Sequence, residues 1–379
     1  MKTPLFKIAL SAMISNFRFA IVSDLHVACP HTIWNHPNRF HLVEVSIPAL
    51  ESVLEHLTQL DIDFLLLPGD LTQHGEPDNH AWLQQRLAKL PFPTYVVPGN
   101  HDVPVLKGNQ QSIAFADFPY YYRKFGYSEP EKCYYSCQVL PGVRLIGLNS
   151  NSFNQRGEQI GRLDNEQLLW LEEVLATATD ELILVMIHHN VVEHLPNQSH
   201  HAIANRYMLD NAAELLQVLR RYKVKLVFTG HLHVQDVACS QGVYDITTGS
   251  LVSYPHPYRV LEFHKDKYGR QWLQIVSYRV ESVPAFPNLQ QTSRKWMGDR
   301  SFPFLVKFLT LPPFNLPLEE AQTLAPNLRD FWANIASGDA VFDYPHFPAQ
   351  IRHFFQKYGA IAACGTPSFI DNNSTLLLG

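Results

Sequence analysis

The chain has 379 residues, of which 46% are hydrophobic and 17% charged, with a formal net charge of −5. That length suits one large domain with additions, or two domains. So mild an acidity gives no electrostatic reason to expect a nucleic acid or a membrane surface as partner, and no apolar run reaches the roughly 18 residues a membrane helix needs.

Residues 1–16 read as a loose leader. Lys2 precedes a mildly apolar stretch that resembles a weak signal peptide, but Lys7 interrupts it and no small-x-small cleavage site precedes residue 17. Met13 is an alternative start. Residues 17–22 form the first central strand and lead into Asp24-Leu25-His26. The polar loop 27–42 carries His31, Trp34 and His36; loops of this length are functional or mobile. These three residues either line a substrate entrance or are ordinary loop polarity. Ile47, Leu50, Leu54 and Leu57 recur at helical spacing, with Ser46 as cap and Pro48 tolerable in the first turn. The run 64–68 is the second strand and leads into Asp70. A second helix over 78–90 carries Leu83, Leu87 and Leu90 on one side. Residues 94–98 are the third strand and lead into Asn100-His101-Asp102.

Residues 103–132 read as an insertion with a short helix near 113–118. Pro141-Gly142 is a turn between strands 134–138 and 143–148. Asp164 opens a helix carrying Leu168, Leu171 and Leu175. Strand 182–187 leads into His188-His189-Asn190, helix 210–222 follows, and strand 224–228 leads into Gly230-His231-Leu232-His233. Strands 242–247, 259–263 and 272–278 come next, the last two paired across residues 267–270. Strand–helix alternation followed by consecutive strands predicts an α/β (α+β) protein with two packed sheets and helices outside.

From about residue 283 the character changes, and ten of the 26 prolines fall in residues 283–379. Two amphipathic patterns survive there: Ala321, Leu324, Leu328, Phe331 and Ile335, interrupted by Pro326, and Ile351, Phe354, Phe355 and Tyr358. Residues 283–379 therefore read as a C-terminal helical extension on a main domain of residues 17–282. Its aromatic stripes read as core packing, with a homodimer face or a lid over the site as alternatives. The tail after Pro367 is expected to be mobile. The five cysteines lack Cys-x-x-Cys spacing, and Cys133 and Cys137 would share one face of a strand. They read as buried thiols in a reducing, cytoplasmic compartment.

Side chains two apart on an extended segment share a face, so His231 and His233 can point into one space. Among nineteen histidines a single pair means little. Its weight comes from recurrence, because five apolar runs lead into residues of metal-ligand type: Asp24 and His26, Asp70, Asn100, His188, and His231 with His233. Oxygen and imidazole donors without thiolate suit Mn, Fe or Zn rather than a structural zinc cage. Seven are too many for one tetrahedral ion and suit two ions that share a carboxylate. Ligands at the carboxyl ends of strands also follow the general rule for sites in open α/β sheets.

These stretches, Asp24-x-His26, Gly69-Asp70, Gly99-Asn100-His101-Asp102, His188-His189 and Gly230-His231-x-His233, resemble the five motifs of the calcineurin-like metallophosphoesterases, over roughly residues 17–280. Within that superfamily the chain is most similar to the bacterial class III cyclic nucleotide phosphodiesterases, through Pro68-Gly-Asp-Leu-Thr and Pro98-Gly-Asn-His-Asp-Val-Pro. After Gly69-Asp70 it reads Leu71-Thr72-Gln73-His74-Gly75 and lacks the Asp-Arg-Gly of the protein serine/threonine phosphatases. The resemblance implies a four-layer αββα sandwich and two divalent or trivalent ions (Mn, Fe or Zn). Asp24, His26 and His233 would hold the first ion, Asn100, His188 and His231 the second, and Asp70 both. It also implies that His101 protonates the leaving oxygen or steadies the transition state. Asn100 and His101 would reach the substrate, and Asp102 would orient His101.

Two close cations lower the pKa of a bridging water, so a hydroxide able to attack phosphorus in line exists at neutral pH. Two divalent ions set against Asp24, Asp70 and a hydroxide leave about one positive charge. A diester neutralises that charge and a monoester dianion overshoots it. The expected substrate is a small-molecule phosphodiester, with a 3',5'-cyclic nucleotide leading. The alternatives are a broader phosphodiesterase or pyrophosphatase acting on a lipid headgroup or nucleotide-sugar, and a non-catalytic metal-binding scaffold. Substrate choice is expected to sit in loops 27–42 and 103–132 and in the extension. His74, His194, His200 and His201 are expected to be solvated. His189 either supports the ligands or lies at the rim, and Lys107 and Arg206 are either solvated or phosphate-binding.

Overall fold

The short apolar runs become strands buried on both faces, as layers packed on each side require. In the run Phe64–Leu67 every residue is inaccessible to solvent. The computed structural model describes residues 16–34, 39–180, 182–201, 203–361 and 365–379. Of the expected leader, residues 1–15 lie outside the described part, as does His36. The elements run β1 (Phe17–Ile21), α1 (Ser46–Gln59), β2 (Phe64–Leu67), α2 (Pro77–Leu87), β3 (Thr94–Val96), α3 (Phe118–Tyr121), β4 (Tyr135–Leu140), β5 (Val143–Gly147), β6 (Asn151–Phe153), β7 (Gln159–Gly161) and α4 (Asn165–Thr177). They continue with β8 (Leu182–Met186), α5 (Ala212–Arg221), β9 (Leu226–Thr229), β10 (Asp236–Ser240), β11 (Val243–Thr247), β12 (Pro257–Lys265) and β13 (Gln271–Arg279). Last come α6 (Leu289–Thr310), α7 (Leu318–Leu324), α8 (Phe331–Ala336), α9 (Ala349–Gln356) and β14 (Asn373–Leu377).

The strands form two six-stranded mixed sheets, ordered β14-β13-β12-β1-β2-β3 and β10-β11-β9-β8-β5-β4. In the first sheet β1, β2 and β3 run parallel, and β12 lies antiparallel to β1 with Phe17 opposite Phe263. In the second, β5, β8, β9 and β11 run parallel between antiparallel edges. Phe19 of β1 meets Phe228 of β9 edge-on, with ring centroids 5.5 Å apart, so the sheets pack face to face. Alternate residues of the second sheet divide cleanly. Leu145, Leu184 and Phe228 join the core shared with the first sheet, while Ile146, Val185 and Val227 pack on Leu171 of α4 and Leu215 of α5. Helix α1 buries Leu50, Val53, Leu54 and Leu57 against the first sheet. Two mixed sheets flanked by helices are thus what the sequence predicts.

Four features depart from the sequence reading. Helix α6 spans 22 residues with Pro303 inside it, and its buried face includes Ser293, Gly298 and Ser301, so no apolar stripe announces it. The strands β6, β7 and β10 are short and polar and were likewise not expected. Cys239, on the edge strand β10, is exposed, and Cys133 precedes β4 instead of sharing its face with Cys137; these and Cys29 are free thiols. Finally, the tail is not loose. Strand β14 pairs antiparallel with β13, Trp272 opposite Leu377, and buries Leu376 and Leu378 in the main core. The fully buried Arg259 donates from Nη1 to the Asp371 carbonyl at 2.5 Å and from Nη2 to the Thr247 carbonyl at 2.9 Å. The Asp371 amide donates to Asp339 Oδ1 at 3.0 Å and the Asp339 amide to Asp371 Oδ2 at 2.6 Å, which fastens the tail to the extension.

The extension has its own core. Leu305, Phe308, Phe331 and Phe355 pack together and onto Leu195, Leu232 and Val234 of the main body. Among the described residues no helix is long and apolar enough to cross a membrane. Deleting residues 371–379 removes β14 and one acceptor of a buried guanidinium. The expected cost is roughly 1–3 kcal/mol, read as a lowered calorimetric Tm; an unchanged Tm would show that the tail is not structural.

Candidate functional site

The predicted ligands lie just beyond β1, β2, β3, β8 and β9, where the chain leaves the sheets. The loops after β1 and β2 are stitched together: the Asp24 amide donates to the Gly69 carbonyl at 3.1 Å and the His26 amide to the Asp70 carbonyl at 2.9 Å. Asp24, His26, Asp70, His231 and His233 all have positive φ, between 41° and 66°. Side chains rarely tolerate that conformation, and residues held in it gather at functional sites. This corrects one step of the sequence argument. His231 and His233 do not share the face of an extended strand; left-handed turns bring them together. The motif glycines answer a close approach. A Cβ on Gly99 would sit 2.2 Å from Asp70 Oδ1, and one on Gly230 would sit 2.4 Å from Asp24 Oδ2.

The donor atoms fall into two groups that share Asp70. Those of Asp24, His26, Asp70 and His233 lie within 4.8 Å of one another, as do those of Asp70, His188 and His231. His233 Nε2 is 3.0 Å from Asp24 Oδ1, His26 Nε2 is 3.7 Å from Asp70 Oδ2, and His188 Nε2 is 3.4 Å from Asp70 Oδ1. Asn100 joins the second group, its Oδ1 lying 3.2 Å from His188 Nε2. All seven predicted ligands therefore converge.

Two observations test whether the site suits cations. Both ring nitrogens of His26 are buried and hydrogen-bonded to nothing, a costly arrangement unless an ion takes one of them. In addition, His188 Nδ1–H donates to the Pro68 carbonyl at 2.8 Å and His231 Nε2–H to the Arg206 carbonyl at 3.3 Å. In neutral rings this leaves His188 Nε2 and His231 Nδ1 facing each other at 3.1 Å as bare lone pairs, so a proton or a cation must lie between them. The residues fit metal ions.

Without an ion, the electrostatics place the proton of the His188–His231 pair on His188 and leave His231 neutral. Burial alone would raise the pKa of Asp70, but His188 and His101 hold it well below the usual carboxylate range. Burial pulls His188 down, yet the Asp70 charge outweighs it and lifts that imidazole to about 9. Burial, reinforced by neighbouring imidazoles, holds His26 and His231 well below the ordinary histidine value, so their lone pairs are free to ligate.

His101 lies on the same floor. Its amide donates to Asp70 Oδ1 at 2.8 Å, and its Nδ1–H donates to the Gln73 carbonyl at 2.7 Å. Asp102 does not have the role expected of it. Its carboxylate accepts the amides of Gly99 at 2.8 Å, Leu71 at 3.0 Å and Thr72 at 2.8 Å, and the Thr72 hydroxyl at 3.0 Å. It splices the loops after β2 and β3, and the Gln73 carbonyl orients His101 instead.

The sequence reading missed His41. Its ring lies 4.3 Å from that of His26 and 4.7 Å from that of His233, and its donor atom is within 4.8 Å of theirs. The one signal in the sequence is a histidine in the same long polar loop as His31 and His36. His31 is exposed and paired with Asp78 at 2.9 Å. Three histidines expected in solvent are not there. His74 stacks on His101 at 5.0 Å and meets the Trp34 ring edge-on at the same distance. His201 is buried against Phe308. The buried His194 side chain lies between two carboxylates, Nδ1 at 2.5 Å from Asp236 Oδ2 and Nε2 at 3.3 Å from Asp245 Oδ2. His200 is exposed, as expected.

Asp245 also accepts the amides of Val191 and Val192 at 2.7 and 3.0 Å, which fixes the loop that carries His188. His189, on the same loop, is buried and bonded through Nδ1 to Ser150 Oγ at 2.7 Å, and burial lowers its pKa to about 3. Above the ligands opens a cavity of about 510 Å³, lined among others by His41, Asp70, Asn100, His101, His189 and Arg206. Lys107 is exposed and does not line it.

Two mixed sheets gather imidazoles and carboxylates where their strands end, in groups that could hold metal ions. The family described as calcineurin-like phosphoesterase matches residues 17–235, more than half of the chain, so the chain belongs to that family of phosphoric ester hydrolases. It is 29% identical over 235 residues to a probable cyclic nucleotide phosphodiesterase of Psychrobacter sp., covering 60% of this chain and 64% of that one. It is 26% identical over 231 residues to a probable glycerophosphodiester phosphodiesterase of Arcobacter nitrofigilis, covering 56% and 70%. It is 28% identical over 185 residues to a 3',5'-cyclic-nucleotide phosphodiesterase of Nostoc sp., covering 48% and 60%. The matched part thus spans less than two thirds of the Psychrobacter and Nostoc proteins. A dimetal phosphatase from Danio rerio aligns with a TM-score of 0.49 at 16% identity, over 69% of this chain and 96% of that one.

The His194 ion pairs give a pH signature. Burial lowers the pKa of His194, but Asp245 and Asp236 lift it from 6.5 to about 10. A raised folded-state value contributes stability that is full below pH 6.5 and is lost as pH rises through about 10. His194→Gln should cost about 3 kcal/mol at neutral pH, because the buried Asp245 and the partly buried Asp236 lose their cation. It should also flatten the alkaline loss of stability across that window. Denaturant titrations from pH 6 to pH 10 check both, and parallel curves for the two proteins would count against the ion pairs.

Proposed function

We propose that the protein hydrolyses a small-molecule phosphodiester, with a 3',5'-cyclic nucleotide as leading substrate, at a two-ion centre on the floor of this cavity. The observation that carries the proposal is the pair of donor groups sharing Asp70. Asp24, His26 and His233 would hold one ion, Asn100, His188 and His231 the other, and Asp70 both. Bound there, divalent or trivalent ions such as Mn, Fe or Zn activate a water and neutralise phosphoryl oxygens.

The chain's own residues do the rest. His188 and His231 are kept in the ligating tautomer by the Pro68 and Arg206 carbonyls. His101 has Nδ1–H committed to the Gln73 carbonyl, so a proton it delivers to the leaving oxygen comes from Nε2 of the imidazolium. Asn100 and His101 line the cavity and would contact the substrate. The small positive charge left by two ions, two aspartates and a hydroxide favours a diester over a monoester dianion. A second reading, a broader phosphodiesterase acting on headgroup diesters, is favoured by the likeness to the Arcobacter protein. A panel of cyclic nucleotides, glycerophosphodiesters and monoesters separates the two, and preference for the monoesters would sink both. The free thiols Cys29, Cys133, Cys137 and Cys239 suit the cytoplasm.

Asp70→Asn should abolish measurable turnover and lower the content of both ions by elemental analysis; full occupancy with near-normal rates would refute the shared ligand. His101→Ala should keep the ions and lose roughly 10²–10⁴ in kcat, the scale of a general acid. Loss of metal in that variant would instead make His101 a structural residue.

A further inference from the structure

The family match ends at residue 235, yet the catalytic cavity is walled in part by residues far beyond it. Phe304 of α6 and Trp332 of α8 both line it, with ring centroids 5.6 Å apart and planes 59° to each other. Phe308, Phe331, Phe342, Phe347 and Phe355 are sunk in the core of the extension, whereas Phe304 and Trp332 pack against that core half-buried and face the cavity. On other sides of the cavity stand Phe40 and Tyr207, the latter beneath the Arg206 guanidinium at 4.7 Å.

Helix α6 also holds the segment that brings Phe40 and His41 to the cavity. Trp296 Nε1–H donates to the Phe40 carbonyl at 3.1 Å. The Trp296 ring has the Arg300 guanidinium 3.2 Å from its centroid and that of Arg39 at 5.7 Å. The extension is therefore packed against the mouth of the site through its aromatic side chains. The cavity floor is imidazole and carboxylate, and its upper wall is aromatic.

We propose that Phe304 and Trp332 form a recognition wall for the organic arm of the substrate, and that this arm carries a flat aromatic or heteroaromatic ring. The proposal rests on phosphoryl binding at the floor described above. Two rings in a tilted arrangement offer one face and one edge, the geometry in which aromatic groups associate best, and add to simple area burial. A cavity of about 510 Å³ holds a phosphoryl group together with a ring, and is far larger than a phosphoryl group with small alkyl arms requires.

Two non-hydrolysable probes share the phosphoryl head and differ only in the arm, phenylphosphonate and methylphosphonate. Their dissociation constants are measured by calorimetry on the full chain loaded with Mn²⁺. The protein should bind the phenyl probe at least about tenfold more tightly than the methyl probe. Trp332→Ala and Phe304→Ala should each cut that ratio severalfold while leaving methylphosphonate within about twofold, and Trp332→Phe should restore it. Phe304→Leu keeps the bulk without the ring and serves if an alanine variant fails to fold. The proposal is overturned by a protein that shows no phenyl preference or binds neither probe, by a ratio that survives the substitutions, or by equal losses for both probes. Diester turnover is assayed in parallel. A phenyl preference that depends on Trp332, without turnover, would sink the catalytic reading and leave the wall standing.

Discussion

Asp70 is the constraint on which the rest of the site depends. Its carboxylate is almost wholly buried, yet the neighbouring His188 and His101 keep it ionised in spite of that burial. A buried charge persists only where opposite charge and hydrogen bonds compensate it. The compensation comes from two sides: the His101 amide on Oδ1 and His188 from the second sheet. Two sheets are needed to deliver these groups, because His188 and His231 follow β8 and β9 while Asp24, His26 and Asp70 follow β1 and β2. The sandwich is thus more than a scaffold under the site. Its face-to-face packing brings the two halves of the ligand set within reach of one carboxylate.

What could be read in the sequence was local and abrupt. Runs such as residues 64–68 and 224–228 change from apolar to ligand-type residues within two or three positions, and that contrast marks the strand ends. What could not be read depends on partners distant in the chain. His194 looks like any loop histidine until β10 and β11 place Asp236 and Asp245 on both sides of it. His41 has no motif, and its position follows from the contact of its segment with Trp296, 255 residues away. Asp102 follows His101 directly, which suggested a partnership, but the loop geometry turns its carboxylate toward the amides of Gly99, Leu71 and Thr72. Helix α6 was hidden because its buried face uses serines and a glycine, and β14 because nothing in Asn-Ser-Thr-Leu-Leu reveals the open edge of β13 that it meets.

The extension has a different standing from the loops that carry the ligands. It lies outside the residues that the family match covers, yet it is tied to the main body at several places, three of which bear on the site or the buried core. These three are the Trp296 bond to the Phe40 carbonyl, the core shared with Leu232 and Val234, and the bond from the buried Arg259 to the Asp371 carbonyl. Leu232 itself sits between His231 and His233, the two histidines of the site. Packing of the extension is therefore felt one residue away from these two imidazoles.

The pairing of β1 with β12 has a consequence for how the chain is made. Phe17 lies opposite Phe263, and the whole second sheet is encoded between these two strands. During synthesis, one edge of β1 stays open until almost 250 further residues have been translated, at the ordinary pace of about 5–20 residues per second. An unpaired apolar strand is a template for wrong partners, and closing so long a loop is intrinsically slow. Yield of native protein in a cell is then governed by how well that nascent edge is shielded, through lower temperature, slower translation or chaperone supply, more than by the stability of the finished molecule.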